Sequence, residues 1–211
     1  MVSDHIGLLV IPSIGTTDRH ASDEYVSAAL ASIDSLRDSA RCGWIVDLRD
    51  NVGGNAYPML LAVQPFLDGG STIASFIDRN GHTEQLRYDG TAVMLDTSTV
   101  ATAPSSIEPL DSDIVVLQNS LTASAAELVV IALADRPNGA IVGGPSAGFT
   151  TGNQTFALSD GALLVVTTAF DVGPSGRVFD GPIEPTVVRQ PNQSHVEAAV
   201  SRLESNCRSV P

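Results

Sequence analysis

Three kinds of residue in this chain could do chemistry together: a serine opening a helix, a glycine pair closing a strand, and a few histidines. Ser124 lies in Leu121-Thr122-Ala123-Ser124-Ala125-Ala126-Glu127. Before it, Asp113 to Asn119 carries a β-branched apolar run, which predicts a buried strand. After it, Leu128 to Ala134 is apolar and, joined to Ala123 to Glu127, long enough for a helix. Ser124 is therefore expected where a strand hands over to a helix, near free N–H groups and the positive end of the helix dipole. That field favours the negative charge that develops when a serine attacks a carbonyl. A plain N-cap at Thr122 or Ser124 fits the same window.

The second feature is Asp47-Leu-Arg-Asp-Asn-Val-Gly-Gly-Asn55, which closes the apolar strand Gly43 to Leu48. Paired glycines let the backbone take positive φ and let a ligand come close. Their N–H groups can form an anion-binding nest; an ordinary strand-to-helix turn uses the same glycines. Both segments follow the carboxyl ends of predicted core strands, and such ends line one crevice in α/β sheets. Together they hold the parts for acyl transfer, with Ser124 attacking and the N–H groups of Gly54 and Ala125 holding the oxyanion.

A serine hydroxyl needs a base, and imidazole has a suitable pKa at neutral pH. His5 precedes the first strand, His82 sits on an Asn-Gly hairpin tip, and His195 lies in the first turn of a C-terminal helix over residues 192–205. His20 follows the first strand, on the crevice side; its plainer reading is a solvated residue before a helix N-cap.

The elements that must position these groups alternate between strand and helix. Ile6 to Ile11 predicts a first strand, residues 22–38 an amphipathic helix capped by Ser22, and Ala56 to Leu67 a second helix. Ser71 to Asp78 and Glu84 to Tyr88 predict a hairpin, followed by a surface connection from Asp89 to Asp111 with a short element at Ala92 to Leu95. Gly144 to Asn153 reads as a glycine-rich loop, without a phosphate-binding fingerprint. Strands are expected at Thr155 to Leu158 and Ala162 to Phe170, then a turn region from Gly173 to Gly181.

With 211 residues, 43% of them hydrophobic, one self-sufficient domain is the default. The net charge of −13 speaks against nucleic acid and an anionic membrane surface as partners. No apolar run reaches a membrane span, and the first residues lack the basic and apolar regions of a signal peptide. The protein therefore either stays inside the cell or is a processed or trimmed form. Cys42 and Cys207 are too few for a disulfide framework; Cys42 is expected as a small core residue and Cys207 in a polar tail. No metal-ligand or cofactor motif is present.

The order of motifs adds a resemblance. Asp47-Leu-Arg-Asp-Asn-Val-Gly-Gly, Thr122-Ala-Ser-Ala-Ala-Glu, Gly143-Gly-Pro-Ser-Ala-Gly, Leu158-Ser-Asp-Gly and Gly181-Pro-Ile-Glu-Pro follow one another as in the S41 peptidases. The chain resembles that family from about residue 6 to 188. The resemblance implies an α/β fold, the ClpP/crotonase-like β/α core as a single domain over 1–211, without a PDZ domain. It implies a serine peptidase acting on peptides or protein C-terminal tails, with Ser124 as nucleophile, Gly54 and Ala125 as oxyanion hole, and Gly53 and Gly148 against the substrate. Tail-specific members place a lysine base where this chain has Phe149, so the likeness is to the Ser-His branch, with His20 as base. Glu127 or Asp180 would orient that histidine. A non-catalytic ligand-binding module on the same fold is the alternative, since fold alone does not set function.

Overall fold

The computed structural model describes residues 2–135 and 139–207. Its centre is a parallel sheet of four strands, β1 (Gly7–Val10), β2 (Trp44–Asp47), β7 (Ile114–Gln118) and β8 (Ala140–Gly143), in the order β1-β2-β7-β8. The inner strands β2 and β7 are buried at every position, as continuous apolar runs in a sheet covered on both faces should be. One face packs on α1 (Arg19–Leu36), α2 (Ala56–Ala62) and α3 (Ala125–Ala134), through Val46, Val116 and Ile141. The other packs Ile45, Val115, Leu117 and Val142 on Ala198, Ala199 and Leu203 of α4 (His195–Asn206).

A second, antiparallel sheet lies beyond the three-helix layer. It is built from β3 (Ser71–Asp78), β4 (Thr83–Tyr88), β5 (Ala92–Leu95), β6 (Ser98–Thr102), β10 (Leu163–Val172) and β11 (Val178–Phe179) in the order β11-β10-β3-β4-β5-β6, with β9 (Thr151–Ala157) paired to β10. Ile73, Ala74, Leu86, Tyr88 and Val93 carry the helical core into this sheet. This is the mixed α/β architecture expected from the motifs.

The parallel register decides where the site falls. Val10 pairs with Asp47, Asp47 with Leu117, and Gln118 with Gly143. The segments that leave these four strands therefore emerge side by side at one edge of the sheet. An isolated parallel bridge from Ile14 to Gly54 ties the first two together.

Local boundaries differ from expectation in instructive places. Helix α1 starts at Arg19, not Ser22, because Asp18 is the N-cap and accepts from Ala21 N at 2.9 Å. Helix α2 ends at Ala62, and Pro65 falls in a 3₁₀ turn (Gln64–Phe66), having no N–H to continue an α-helix. Asp89 to Asp111 holds the β5–β6 hairpin, turned at Asp96 with φ 51°. Strand β9 starts at Thr151, inside the expected glycine-rich loop.

The cysteine expectation is overturned. Cys42 and Cys207 form a disulfide, 165 residues apart in sequence, joining the end of α4 to the turn before β2. No helix among the described residues is long and apolar enough to cross a membrane. A cross-link of such span restricts the unfolded chain. Replacing both cysteines by serine should lower unfolding free energy by about 2–5 kcal/mol in urea titrations without reductant. Identical midpoints for the two proteins would contradict a native bond.

Candidate active site

Ser124 occupies the junction between β7 and α3, half-buried, with φ 54° and ψ −120°. A β-carbon in this region is strained by about 1–3 kcal/mol and persists only where its surroundings fix it. A sharp, strained strand-to-helix turn is also the geometry that lifts a nucleophilic serine out of a sheet edge.

Two neighbouring segments fix the turn. From the β2 side, the carbonyl of Asn51 accepts from Ala123 N at 3.0 Å, and the carbonyl of Leu48 accepts from Thr122 Oγ1 at 2.8 Å. Gly53, with φ 91°, fits directly against the serine: a β-carbon there would lie 2.6 Å from the Ala123 carbonyl oxygen, 3.0 Å from Ser124 Cβ and 3.2 Å from Ala125 N. Asn51 itself is 1% exposed; it donates to Ile11 O and accepts from Ser13 Oγ and Gly53 N, tying the end of β1 to the glycine turn.

From the β8 side comes a loop anchored on Glu127, which is fully buried in the first turn of α3. Its carboxylate accepts four hydrogen bonds: from Ser124 N (2.8 Å), Ser146 Oγ, Gly148 N (2.8 Å) and Phe149 N (2.8 Å). Ser146 Oγ accepts in turn from Ile183 N at 2.7 Å, and Gln118 Nε2 donates to Ile183 O. The Gly181-to-Pro185 motif is thereby docked onto the same loop.

The backbone donors around Ser124 separate into two sets. Gly53 N is bonded to Asn51 Oδ1, and Gly148 N to Glu127, so the amides of these two residues are taken up within the chain. Among the described residues, the N–H groups of Gly54 and Ala125 donate to no group of the chain. Gly54 is exposed, with φ 126°, and directly follows Gly53, which packs against the serine turn. Unengaged backbone donors on the turns that flank a serine are the kind of group that can receive an oxyanion.

The structure places the other expected residues as follows. His20 lies in the first turn of α1, its side chain 84% exposed, with Nε2 3.6 Å from Glu24 Oε1. It makes no hydrogen bond to Ser124 in this conformation. Its loop nevertheless touches the site, since Gly54 is bridged to Ile14. Glu127 spends its four bonds on Ser124 N and on three donors of the loop, and none on a histidine. Asp180 is exposed beyond β11. His5 lies at the opposite edge of the sheet against Arg41, His82 on the hairpin tip and His195 at the start of α4, so none of the three is brought to Ser124. Phe149 is 63% exposed at the rim, with Val52 and Leu121 also exposed on the flanking turns.

Sequence reasoning missed Asn51 as a hub, although it sits inside the glycine motif. It also missed Asp171, which is 3% exposed on β10. Burial, and then the charge of Glu127, push the Asp171 carboxyl up to about 7.

Fold and site together define an α/β core with a serine on a strained strand-to-helix turn and unengaged amides on the turns around it. The chain belongs to peptidase family S41, whose model matches residues 5–189. It is 31% identical over 189 residues to the nisin-resistance protein of Lactococcus lactis subsp. lactis, covering 85% of this chain and 55% of that one. It is 29% identical over 168 residues to the chloroplastic carboxyl-terminal-processing peptidase 1 of Arabidopsis thaliana, covering 79% of this chain and 31% of that one. Among solved structures, a lipoprotein from Streptococcus agalactiae superposes with a TM-score of 0.80 at 27% identity, over 98% of this chain and 68% of that one. The photosystem II D1 C-terminal processing protease shares the fold at a TM-score of 0.65 and 22% identity, over 96% of this chain and 46% of that one. The chain thus spans about half the length of the lactococcal relative and less of the plant one.

Gly53 is the tightest test of this geometry. Gly53→Ala should cost more than about 1 kcal/mol, because φ is positive and the carbonyl of Ala123 is in the way. Gly15→Ala, with open space and ordinary φ, is the control and should be close to neutral in the same denaturant titration. Equal destabilisation of the two would contradict the packing of Gly53 on the serine.

Proposed function

We propose that this chain is the catalytic core of a serine peptidase, with peptides or protein C-terminal tails as substrates. The observation that carries the reading is Ser124 in its strained conformation at the start of α3, with the N–H groups of Gly54 and Ala125 on the flanking turns unengaged among the described residues. Ser124 Oγ attacks the scissile carbonyl, and the two N–H groups hold the resulting oxyanion. The S41 membership and the relatives that process carboxyl termini support the substrate class. The exposed side chains of Val52, Leu121 and Phe149 offer substrate an apolar rim.

The base is His20 in this reading. All eleven basic residues of the chain are arginines, so it has no lysine to serve a Ser-Lys dyad. Arginine holds its proton at any working pH. His20 leaves Glu24 and reaches Ser124 when substrate closes the loop between β1 and α1, a motion of the gating kind. The disulfide supports an oxidising compartment as the place of this chemistry.

The second reading, a ligand-binding module without catalysis, is favoured by the solvent-exposed position of His20 against Glu24 and by Phe149 in the lysine position. A fluorophosphonate probe separates the two. Labelling of the wild-type chain and none of Ser124→Ala supports the peptidase; no labelling at any pH supports the binding module. On a cleavable peptide, Ser124→Ala should lower kcat by something on the order of 10⁶-fold.

A pH profile tests the base separately. The wild-type kcat/KM should rise with pH through an acid limb, because imidazole must be neutral to take the proton. His20→Ala should remove that limb and the activity, whereas His5→Ala and His195→Ala should leave both. Turnover retained in His20→Ala would overturn this assignment while leaving the nucleophile standing.

A further inference from the structure

Four successive amides run along the glycine turn, from Val52 to Asn55, and three of them are spent inside the chain. Val52 N donates to Ser13 Oγ at 2.9 Å, Gly53 N to Asn51 Oδ1 at 2.9 Å, and Asn55 N to Ile14 O at 2.6 Å. Gly54 N is the one that donates to no group among the described residues. The acceptors that make this selection are two residues of the loop between β1 and α1 and one buried side chain, that of Asn51.

Asn51 uses both ends of its amide. Nδ2 donates to Ile11 O at 2.8 Å and reaches Met59 Sδ at 3.7 Å. Oδ1 accepts from Ser13 Oγ at 3.0 Å as well as from Gly53 N. These partners fix which end is which, because a backbone carbonyl only accepts and a backbone N–H only donates. The backbone of the same residue holds a third segment: its carbonyl accepts from Ala123 N, one residue before Ser124. The end of β1, the glycine turn and the serine turn therefore meet on Asn51. Aspartate has the same shape, but ionised it only accepts. In this place it would turn a lone pair on the Ile11 carbonyl, and the turn would have to shift to relieve that contact.

We propose that Asn51 is a positioning residue of the Ser124 site: its side-chain amide takes Gly53 N out of use and ties the glycine turn to the β1–α1 loop, so that Gly54 N is the donor this turn leaves for an oxyanion. Asn51 acts on turnover through Gly54 and touches no substrate. The loop it grips leads into α1, where His20 lies, so one clamp sets the oxyanion donor and the origin of the base's segment together. The effect on turnover rests on Ser124 being the nucleophile; the division of the amides does not.

The experiment compares Asn51→Asp and Ser13→Ala with the wild-type chain on a cleavable peptide, with the folded fraction of each measured by denaturant titration. Asn51→Asp should lower kcat per folded molecule by roughly 10²-fold or more while KM stays within about threefold, since an oxyanion donor acts in the transition state and not on bound substrate. Ser13→Ala keeps the Asn51 bonds to Ile11 and Gly53 and should lose less than Asn51→Asp. An unchanged kcat per folded molecule in Asn51→Asp, or an effect confined to KM, overturns the proposal. Should Asn51→Asp fail to fold, amide hydrogen exchange of the wild-type chain before and after reaction with a fluorophosphonate decides. Val52 and Gly53 protected throughout, with protection gained at Gly54, supports the proposal. Protection gained at Val52 or Gly53 while Gly54 still exchanges freely overturns it. Absence of labelling on the wild-type chain is the failure of the nucleophile itself and takes the proposal with it, whereas labelling with an unaffected Asn51→Asp is the failure of the proposal alone.

Discussion

The site depends on one buried carboxylate. Glu127 sits in the first turn of α3, where the helix dipole favours negative charge, and takes donors from its own helix start and from a loop some twenty residues further on. An unpaired carboxylate in that position would be too costly to keep charged. Burial therefore forces the loop to bring Ser146, Gly148 and Phe149 to it, and Ser146 brings Ile183 with it. The ordered motifs of the sequence are thus parts of one hydrogen-bonded body around the serine turn.

The strain at Ser124 is intelligible in that frame. A residue held in a sparsely populated conformation relaxes unless its neighbours forbid it. Here Asn51 O and Leu48 O fix the turn from one side, Glu127 from the other, and Gly53 fills the remaining gap. The same clamps explain which amides stay open. Hydrogen bonds that build the turn occupy Gly53 N, Ser124 N and Gly148 N, whereas Gly54 N and Ala125 N donate to no group among the described residues. Structural demand and chemical availability divide the backbone donors between them.

Much of this was legible in the order of residues, and the reasons are physical. Strands β2 and β7 announce themselves because a parallel sheet buried on both faces needs continuous apolar runs, and the motifs at their ends inherit a common edge. Short or polar strands carry no such signal: β6 reads Ser-Thr-Val-Ala-Thr and is made a strand by its partner, not its own pattern. Non-local pairings were the least visible. Nothing near Cys42 or Cys207 marks them as partners, and Glu127 reads locally as an N-terminal capping acid although three of its four donors lie elsewhere or are read only once the loop has docked. The start of α1 was misplaced because Asp18 and Ser22 are both good caps, and only the folded chain shows which accepts the amide.

The proposed acyl-transfer site joins Ser124 to Gly54 N and Ala125 N. Its most direct test is a crystal structure of the chain after reaction with a fluorophosphonate. Phosphorus is expected on Ser124 Oγ, with the phosphoryl oxygen about 2.7–3.1 Å from both Gly54 N and Ala125 N. An adduct on another residue, or a phosphoryl oxygen turned to solvent while those two amides remain open, would contradict it.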